Sequence, residues 1–143
     1  MRRPRKYPSS SKQMKDIYSD FDLDFNLNRK THDVNRKVNM ESVKQSMWCL
    51  LQTNFYERKW HPEIGSYFPK MLFSLAHPEI LALIENQVLE LLRKYEPRIS
   101  VQSVRVFHES QRDADLGKVT VEIKFETLEL GTETATFHLE RVR

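Results

Sequence analysis

Two glutamates, Glu57 and Glu63, flank Trp60 in the stretch Phe55-Tyr56-Glu57-Arg58-Lys59-Trp60-His61-Pro62-Glu63-Ile64-Gly65. A carboxylate pair beside an aromatic ring is the least that glycoside hydrolysis requires, so a muramidase cutting peptidoglycan is one reading of the loop. The pair carries little weight. A chain with 20 acidic residues supplies such pairs by chance, and a loop glutamate next to Arg58 and Lys59 is ordinarily a solvated ion pair. Trp60 is expected to plug the core or an interface rather than to stack on a sugar. Other chemistries have less support. His32, His61, His77, His108 and His138 show no pair at metal-ligand spacing, and Cys49 is the single cysteine. It sits in the apolar run Met47-Trp48-Cys49-Leu50-Leu51 and reads as a buried, inert thiol. Three glycines are too few for a phosphate-binding loop, and Gly65-Ser66 lacks the second glycine of a nucleophile elbow. No catalytic residue, metal or cofactor is expected, and the chain is not expected to be an enzyme.

A different kind of chemistry lies in Glu96-Pro97-Arg98. The residue before a proline is pushed out of the helical region, so the apolar-striped helix ahead of it must end at Tyr95 or Glu96. A carboxylate at a helix C-terminus opposes the dipole there, whereas Arg98 suits it. Glu96 therefore requires a cationic or hydrogen-bonding partner, from this chain or from another.

Composition bounds the setting. The chain has 143 residues, enough for one domain whose core needs no disulfides or metals. Its net charge of +3 is unevenly placed. Residues 1–15 hold Arg2, Arg3, Arg5, Lys6, Lys12 and Lys15 and no acid, while the remainder has 17 basic against 20 acidic residues. The basic pI thus belongs to an arm, not to a nucleic-acid-binding face, and a nucleic-acid module using residues 1–15 is the weakest reading. No apolar run reaches the roughly 18 residues of a membrane span, and no signal-peptide core follows the basic start. We expect a basic, flexible N-terminal arm over residues 1–17 and a single α+β domain over 18–143.

The elements follow from periodicity. Phe21, Leu23, Phe25 and Leu27 alternate with Asp22, Asp24, Asn26 and Asn28, which predicts a half-buried strand or an extended arm laid along a surface. Residues 28–39 read as loop, ending at Asn39 as N-cap of a helix over 40–53. Gly65 is expected to hold a positive φ angle. A short helix is expected over 67–73, with Phe68, Leu72 and Phe73 turned inward. The core helix should run from Pro78 to Tyr95, with Leu83 and Leu89 widening its stripe. Three antiparallel strands follow, over about 99–108, 118–126 and 134–143, separated by a polar turn at 111–115 and a turn at Gly131. Helices packed on one face of a small antiparallel sheet, with an extended N-terminal arm, is the expected α+β architecture.

Several of these segments, taken together, resemble a known family. Thr53-Asn54-Phe55-Tyr56-Glu57-Arg58, Pro62-Glu63-Ile64-Gly65 and Tyr95-Glu96-Pro97-Arg98-Ile99, in that order, are similar to the baseplate wedge subunit of T-even-like contractile phage tails. Tyr18-Ser19-Asp20-Phe21-Asp22 and the closing Leu139-Glu140-Arg141-Val142-Arg143 add to the likeness, and the type VI secretion system carries a related subunit. The resemblance covers about residues 18–143 and departs from the family in the long basic start. It implies a structural virion protein of the tail baseplate, assembled in the host cytoplasm, with a fold like the handshake domain of the tail sheath. Six copies would ring the tube end and initiate sheath assembly by sharing strands, here through Phe137, Leu139 and Arg141. Glu96, Pro97 and Arg98 would dock on the helical core bundle of the wedge, which would supply Glu96 with its partner. Other wedge proteins and the sheath protein are the implied partners, with tail tube or hub proteins as further candidates. No membrane, nucleic acid or small-molecule ligand is implied. Some family members have been labelled lysozymes, and the residues here do not support that label. On this reading, removing residues 134–143 should leave a folded domain that no longer nucleates sheath. Arg98→Ala should weaken wedge assembly far more than monomer stability.

Overall fold

A computed structural model of the chain describes residues 15–29, 31–72 and 78–140. Most of the expected basic arm, together with Phe73, His77 and Arg141, lies outside the described residues. Eleven elements are defined: β1 (Ser19–Phe21), β2 (Leu27–Asn28), β3 (Asp33–Val34), β4 (Arg36–Val38), α1 (Met40–Gln52), α2 (Phe68–Met71), α3 (Pro78–Tyr95), β5 (Ile99–Phe107), α4 (Gln111–Leu116), β6 (Lys118–Thr127) and β7 (Gly131–Glu140). Strands β5, β6 and β7 form an antiparallel meander in that order, with a register shift between Val101 and Ser103. Strict alternation along β6 sends Val119, Val121, Ile123 and Phe125 to one face, where all four are buried. Helices α1 and α3 cover that face through Val43, Met47 and Leu51 and through Ile84, Val88 and Leu92. The architecture is α+β, with one sheet face packed and the other polar.

The two long helices match their periodicity closely. α3 begins at Pro78, where a missing N–H costs nothing, and ends one residue before Glu96. Leu83 does not widen its buried stripe, being 55% exposed, whereas Leu89 packs against the core. The expected polar turn at 111–115 is instead the helix α4. Ser110 caps it by accepting from the Asp113 N–H at 3.2 Å, and Gly117 closes it in the left-handed region at φ 67°. Gly65 has φ 152°, a positive angle as expected.

The larger correction concerns residues 19–38. They form no single half-buried strand followed by loop; they fold back as an irregular hairpin. β1 pairs with β4 (Phe21↔Arg36) and β2 with β3 (Leu27↔Val34), and residues 22–26 bulge between them. The bulge is organised around the Asp22 carboxylate, which accepts from the Asp24 N–H, the Asn26 amide and Lys37 Nζ. Gln45 of α1 grips the same segment, donating to the Phe21 carbonyl and accepting from the Leu23 N–H. Asp22 is thus buried, while Asp24 and Asn26 stay exposed. Phe21, Leu23, Phe25 and Leu27 point to solvent, the reverse of the expected amphipathy. Asn39 does precede α1, but its side chain makes no cap hydrogen bond. It turns back to accept the Ile17 N–H at 2.8 Å, with φ at 53°.

Candidate functional site

The Glu96-Pro97-Arg98 joint is built where α3 hands the chain to β5. The Glu96 N–H still donates to the Leu92 carbonyl as the last turn of the helix. Its carboxylate is nevertheless only 2% exposed. Arg98 meets it as a fork: Nε donates to Oε1 at 2.6 Å and Nη2 to Oε2 at 2.7 Å. Ser46 of α1 donates its hydroxyl to Oε2 at 2.5 Å. The Arg98 guanidinium also lies 5.4 Å from the centre of the Tyr18 ring. Burial alone would push the Glu96 carboxyl up, but the hydrogen bonds from Arg98 and Ser46 outweigh it and hold the group below the usual glutamate range. The same hydrogen bonding to Glu96 raises Arg98 further above its ordinary value.

Arg98 and Ser46 thus supply Glu96 with partners from within the chain. What the joint presents to solvent is the Pro97 ring and one side of Arg98. Ser46 and Tyr18, which complete this knot, were missed in the sequence. A signal existed, because Ser46 interrupts the apolar face of α1 between Val43 and Leu50, and a polar residue there implies a hydrogen-bond partner.

The second expected site, the last strand, is divided by its own alternation. Leu139 is buried in the core, and Phe137 packs half-buried against Trp48, with ring centres 5.8 Å apart. Arg141 lies outside the described residues. Neither Phe137 nor Leu139 offers an exposed side chain, so any strand sharing here must run through backbone. The pairing shows which backbone groups are free. Val106 donates its N–H outward to Glu85 Oε1 at 2.8 Å, so Val106 and Val121 form a pair without mutual ladder bonds. Alternation then directs the N–H of Val121 to Phe137, and those of Thr134, Thr136 and His138 to the outer side of β7. Among the described residues, nothing from the rest of the chain bonds to that outer side. The opposite edge, β5, lies under α3 and is capped by Glu85. Alongside β7, Lys44 of α1 bridges Glu133 at 2.6 Å. A cavity of about 310 Å³ opens between Trp48, Phe137, Lys44 and Leu23.

The carboxylate pair has no catalytic geometry. Glu57 is tied to the Asn54 N–H at 2.8 Å, and Glu63 lies 3.2 Å from His61 Nδ1. Both are exposed. A backbone N–H and His61 hold Glu63 below the usual glutamate range, the wrong direction for a general acid. Trp60 does not plug the core; it is 88% exposed. Cys49 is half-buried and its thiol is pushed up by desolvation, which fits an inert residue. Among the described residues no three His, Cys, Asp or Glu side chains gather as a metal site, and no helix is long and apolar enough to cross a membrane.

Comparison with known proteins agrees with this fold. The model of the family described as "Baseplate wedge protein gp25" matches residues 37–129. Baseplate wedge protein gp25 of Enterobacteria phage T4 is 30% identical over 90 residues, which is 63% of this chain and 67% of that one. Among solved structures, a putative tail lysozyme from Geobacter sulfurreducens superposes with a TM-score of 0.61 at 28% identity, covering 72% of this chain and 91% of that one. A chain of the anti-feeding prophage baseplate gives a TM-score of 0.58 at 18% identity, covering 88% and 87%. One from the type VI secretion baseplate gives 0.57 at 20% identity, covering 71% and 93%. These last two show a shared fold.

Proposed function

The chain belongs to the baseplate wedge protein gp25 family, structural components of the baseplate of contractile phage tails, and from that premise we propose that it initiates the tail sheath by accepting a strand on β7. One observation carries this reading. The sheet has two edges: on β5 the outward Val106 N–H is taken by Glu85 of α3, while along the ten-residue β7 no described residue takes an outward N–H. An open, regular edge is avoided in proteins that do not use it, because it pairs with any extended chain. The incoming strand would be a segment of a tail sheath subunit, with its inward side chains over Trp48 and the Lys44–Glu133 bridge. Pro97 and the exposed side of Arg98 would dock on the helical core bundle of the wedge, with Glu96 setting the position of Arg98. Six copies around the tube, as the family resemblance implies, would present six such edges to the first sheath ring.

Deleting residues 134–143 cannot test this, contrary to the expectation above. The deletion would remove Ala135 and Leu139 from the core and strip β6 of a partner along most of its length. Thr136→Pro is the sharper variant, because the lost N–H faces outward and no ladder bond to β6 goes with it. Monomer melting is expected to shift by no more than a few degrees, while sheath polymerisation on purified baseplates, counted in electron micrographs, falls at least tenfold. Sheath that grows normally on Thr136→Pro baseplates would rule strand sharing at β7 out.

The name of the Geobacter structure raises cell-wall hydrolysis as a second reading. We expect purified protein to leave the turbidity of a peptidoglycan suspension unchanged, and Glu57→Gln or Glu63→Gln to alter nothing. Clearing by the parent protein that either substitution abolishes would restore the muramidase reading.

A further inference from the structure

The loop between α1 and α2 is a rigid platform that holds two aromatic side chains in water. Its backbone is bonded to itself: Tyr56 N–H to the Pro62 carbonyl at 2.9 Å, Ile64 N–H to His61 at 3.1 Å and Ser66 N–H to Thr53 at 3.0 Å. The Tyr95 hydroxyl donates to the Glu63 carbonyl at 2.8 Å and ties the loop to α3. Phe55 turns inward against Tyr67, with ring centres 4.7 Å apart. Tyr56 and Trp60 turn out, at 80% and 88% exposure. Two unusual backbone positions hold this shape, Tyr56 at φ 68° and Gly65 at φ 152°. A bulky residue in the left-handed region is uncommon, and such strain persists only where the surroundings enforce it.

Charge narrows what these aromatics would meet. Glu57 and Glu63 are engaged inside the loop, with Asn54 and His61. Arg58 and Lys59 directly precede Trp60, and among the described residues their side chains make no ion pair or hydrogen bond. We propose that Trp60 and Tyr56 form a preorganised docking knob for an apolar cleft with an acidic rim on a neighbouring baseplate protein. Exposed Trp, Tyr and Arg on a rigid frame is the composition of a binding hot spot, because little conformational freedom is lost on association. The two carboxylates of the loop and the excess of acidic residues over 16–143 oppose phosphate, which disfavours nucleic acid and anionic lipid. The inference rests on the baseplate reading, but it concerns a surface separate from β7 and from the Glu96–Arg98 joint.

The test uses the full chain, supplied in trans to cells that make every other tail protein, with its amount in purified baseplates measured by immunoblot. Trp60→Ala and the double reversal R58E/K59E are each expected to reduce incorporation at least tenfold, with melting temperatures within a few degrees of the parent. Thr136→Pro in the same assay is expected to enter baseplates normally, which separates this knob from strand sharing. Phosphatidylglycerol–phosphatidylethanolamine vesicles and a short DNA duplex are expected to show no Trp60-dependent binding. Normal incorporation of Trp60→Ala would overturn the proposal, and so would binding to vesicles or DNA that Trp60→Ala abolishes. Absence of the parent chain from baseplates would overturn the baseplate reading, and this inference with it.

Discussion

Arg98→Ala is expected to destabilise the monomer by about 3 kcal/mol, the low end of what is lost when a buried ion pair is broken from one side. The low end applies because the Arg98 side chain is 28% exposed, against 3% for Glu96. The loss comes less from the missing attraction than from the carboxylate left behind, buried with Ser46 as its remaining side-chain donor. The Arg98 contact with Tyr18 disappears as well, which frees one anchor of the N-terminal hairpin. A thermal melt should register this as a drop of roughly 10 °C. Arg98→Lys should recover part of it, since an ammonium cannot reproduce the fork onto both oxygens.

The pH dependence gives an independent reading. The folded-state pKa of Glu96 is lowered from its ordinary 4.5. The stability it contributes is therefore fully present above about pH 4.5 and is lost as the pH falls through the lower, folded value. Glu96→Gln should remove that part of the acid-side slope. If Arg98→Ala melted with the parent and lost only wedge assembly, the joint would be a docking surface and little else.

Gly65→Ala is expected to be comparably costly, for a different reason. A Cβ built at Gly65 lies 2.5 Å from the Asn54 carbonyl carbon, 2.6 Å from its oxygen and 2.7 Å from the Phe55 nitrogen. All three are backbone atoms, and the bridge between Asn54 and Ser66 holds them in place. The φ of 152° is strained for any side chain as well. Backbone strain and overpacking each contribute on the order of 1–3 kcal/mol, so a loss of about 3 kcal/mol is expected. The damage should centre on the α1–α2 loop, and amide exchange there should accelerate more than in β6. Gly131→Ala is the control: its Cβ meets nothing within 4 Å, leaving only the cost of φ 82°. Equal melting of Gly65→Ala and the parent would mean that the loop can slide off α1 without cost.

The well-read parts of the chain were those where one face is buried and the period is unbroken. α3 and β6 belong here, because Ile84, Val88 and Leu92 repeat at helical spacing and Val119 to Phe125 repeat every second residue. The Glu96-Pro97-Arg98 joint was also legible, since a proline ends a helix by sterics alone. Its chemistry was not, because Ser46 and Tyr18 reach Glu96 and Arg98 from distant parts of the chain. Residues 111–115 were misread because Ser110 and Gly117, a cap and a stop, enclose a helix too short to show a period.

Local sequence by itself determined the extents of α1 and α3, the alternation of β5 and β6, and that the polar face of the meander is solvated. These follow from periodicity and residue type, which act within a few positions. Only the tertiary structure decided which way each face points. The alternation at residues 21–27 predicts two faces equally well whichever is buried, and the Asp22–Lys37 pair within the hairpin together with Gln45 on the Phe21 and Leu23 backbone leaves the apolar side chains in water. The same holds for Trp60, which is exposed rather than packed in the core, and for β7, whose outer side no described residue covers. Burial, edge exposure and ion-pair partners are set by contacts between distant residues, and no local pattern contains them.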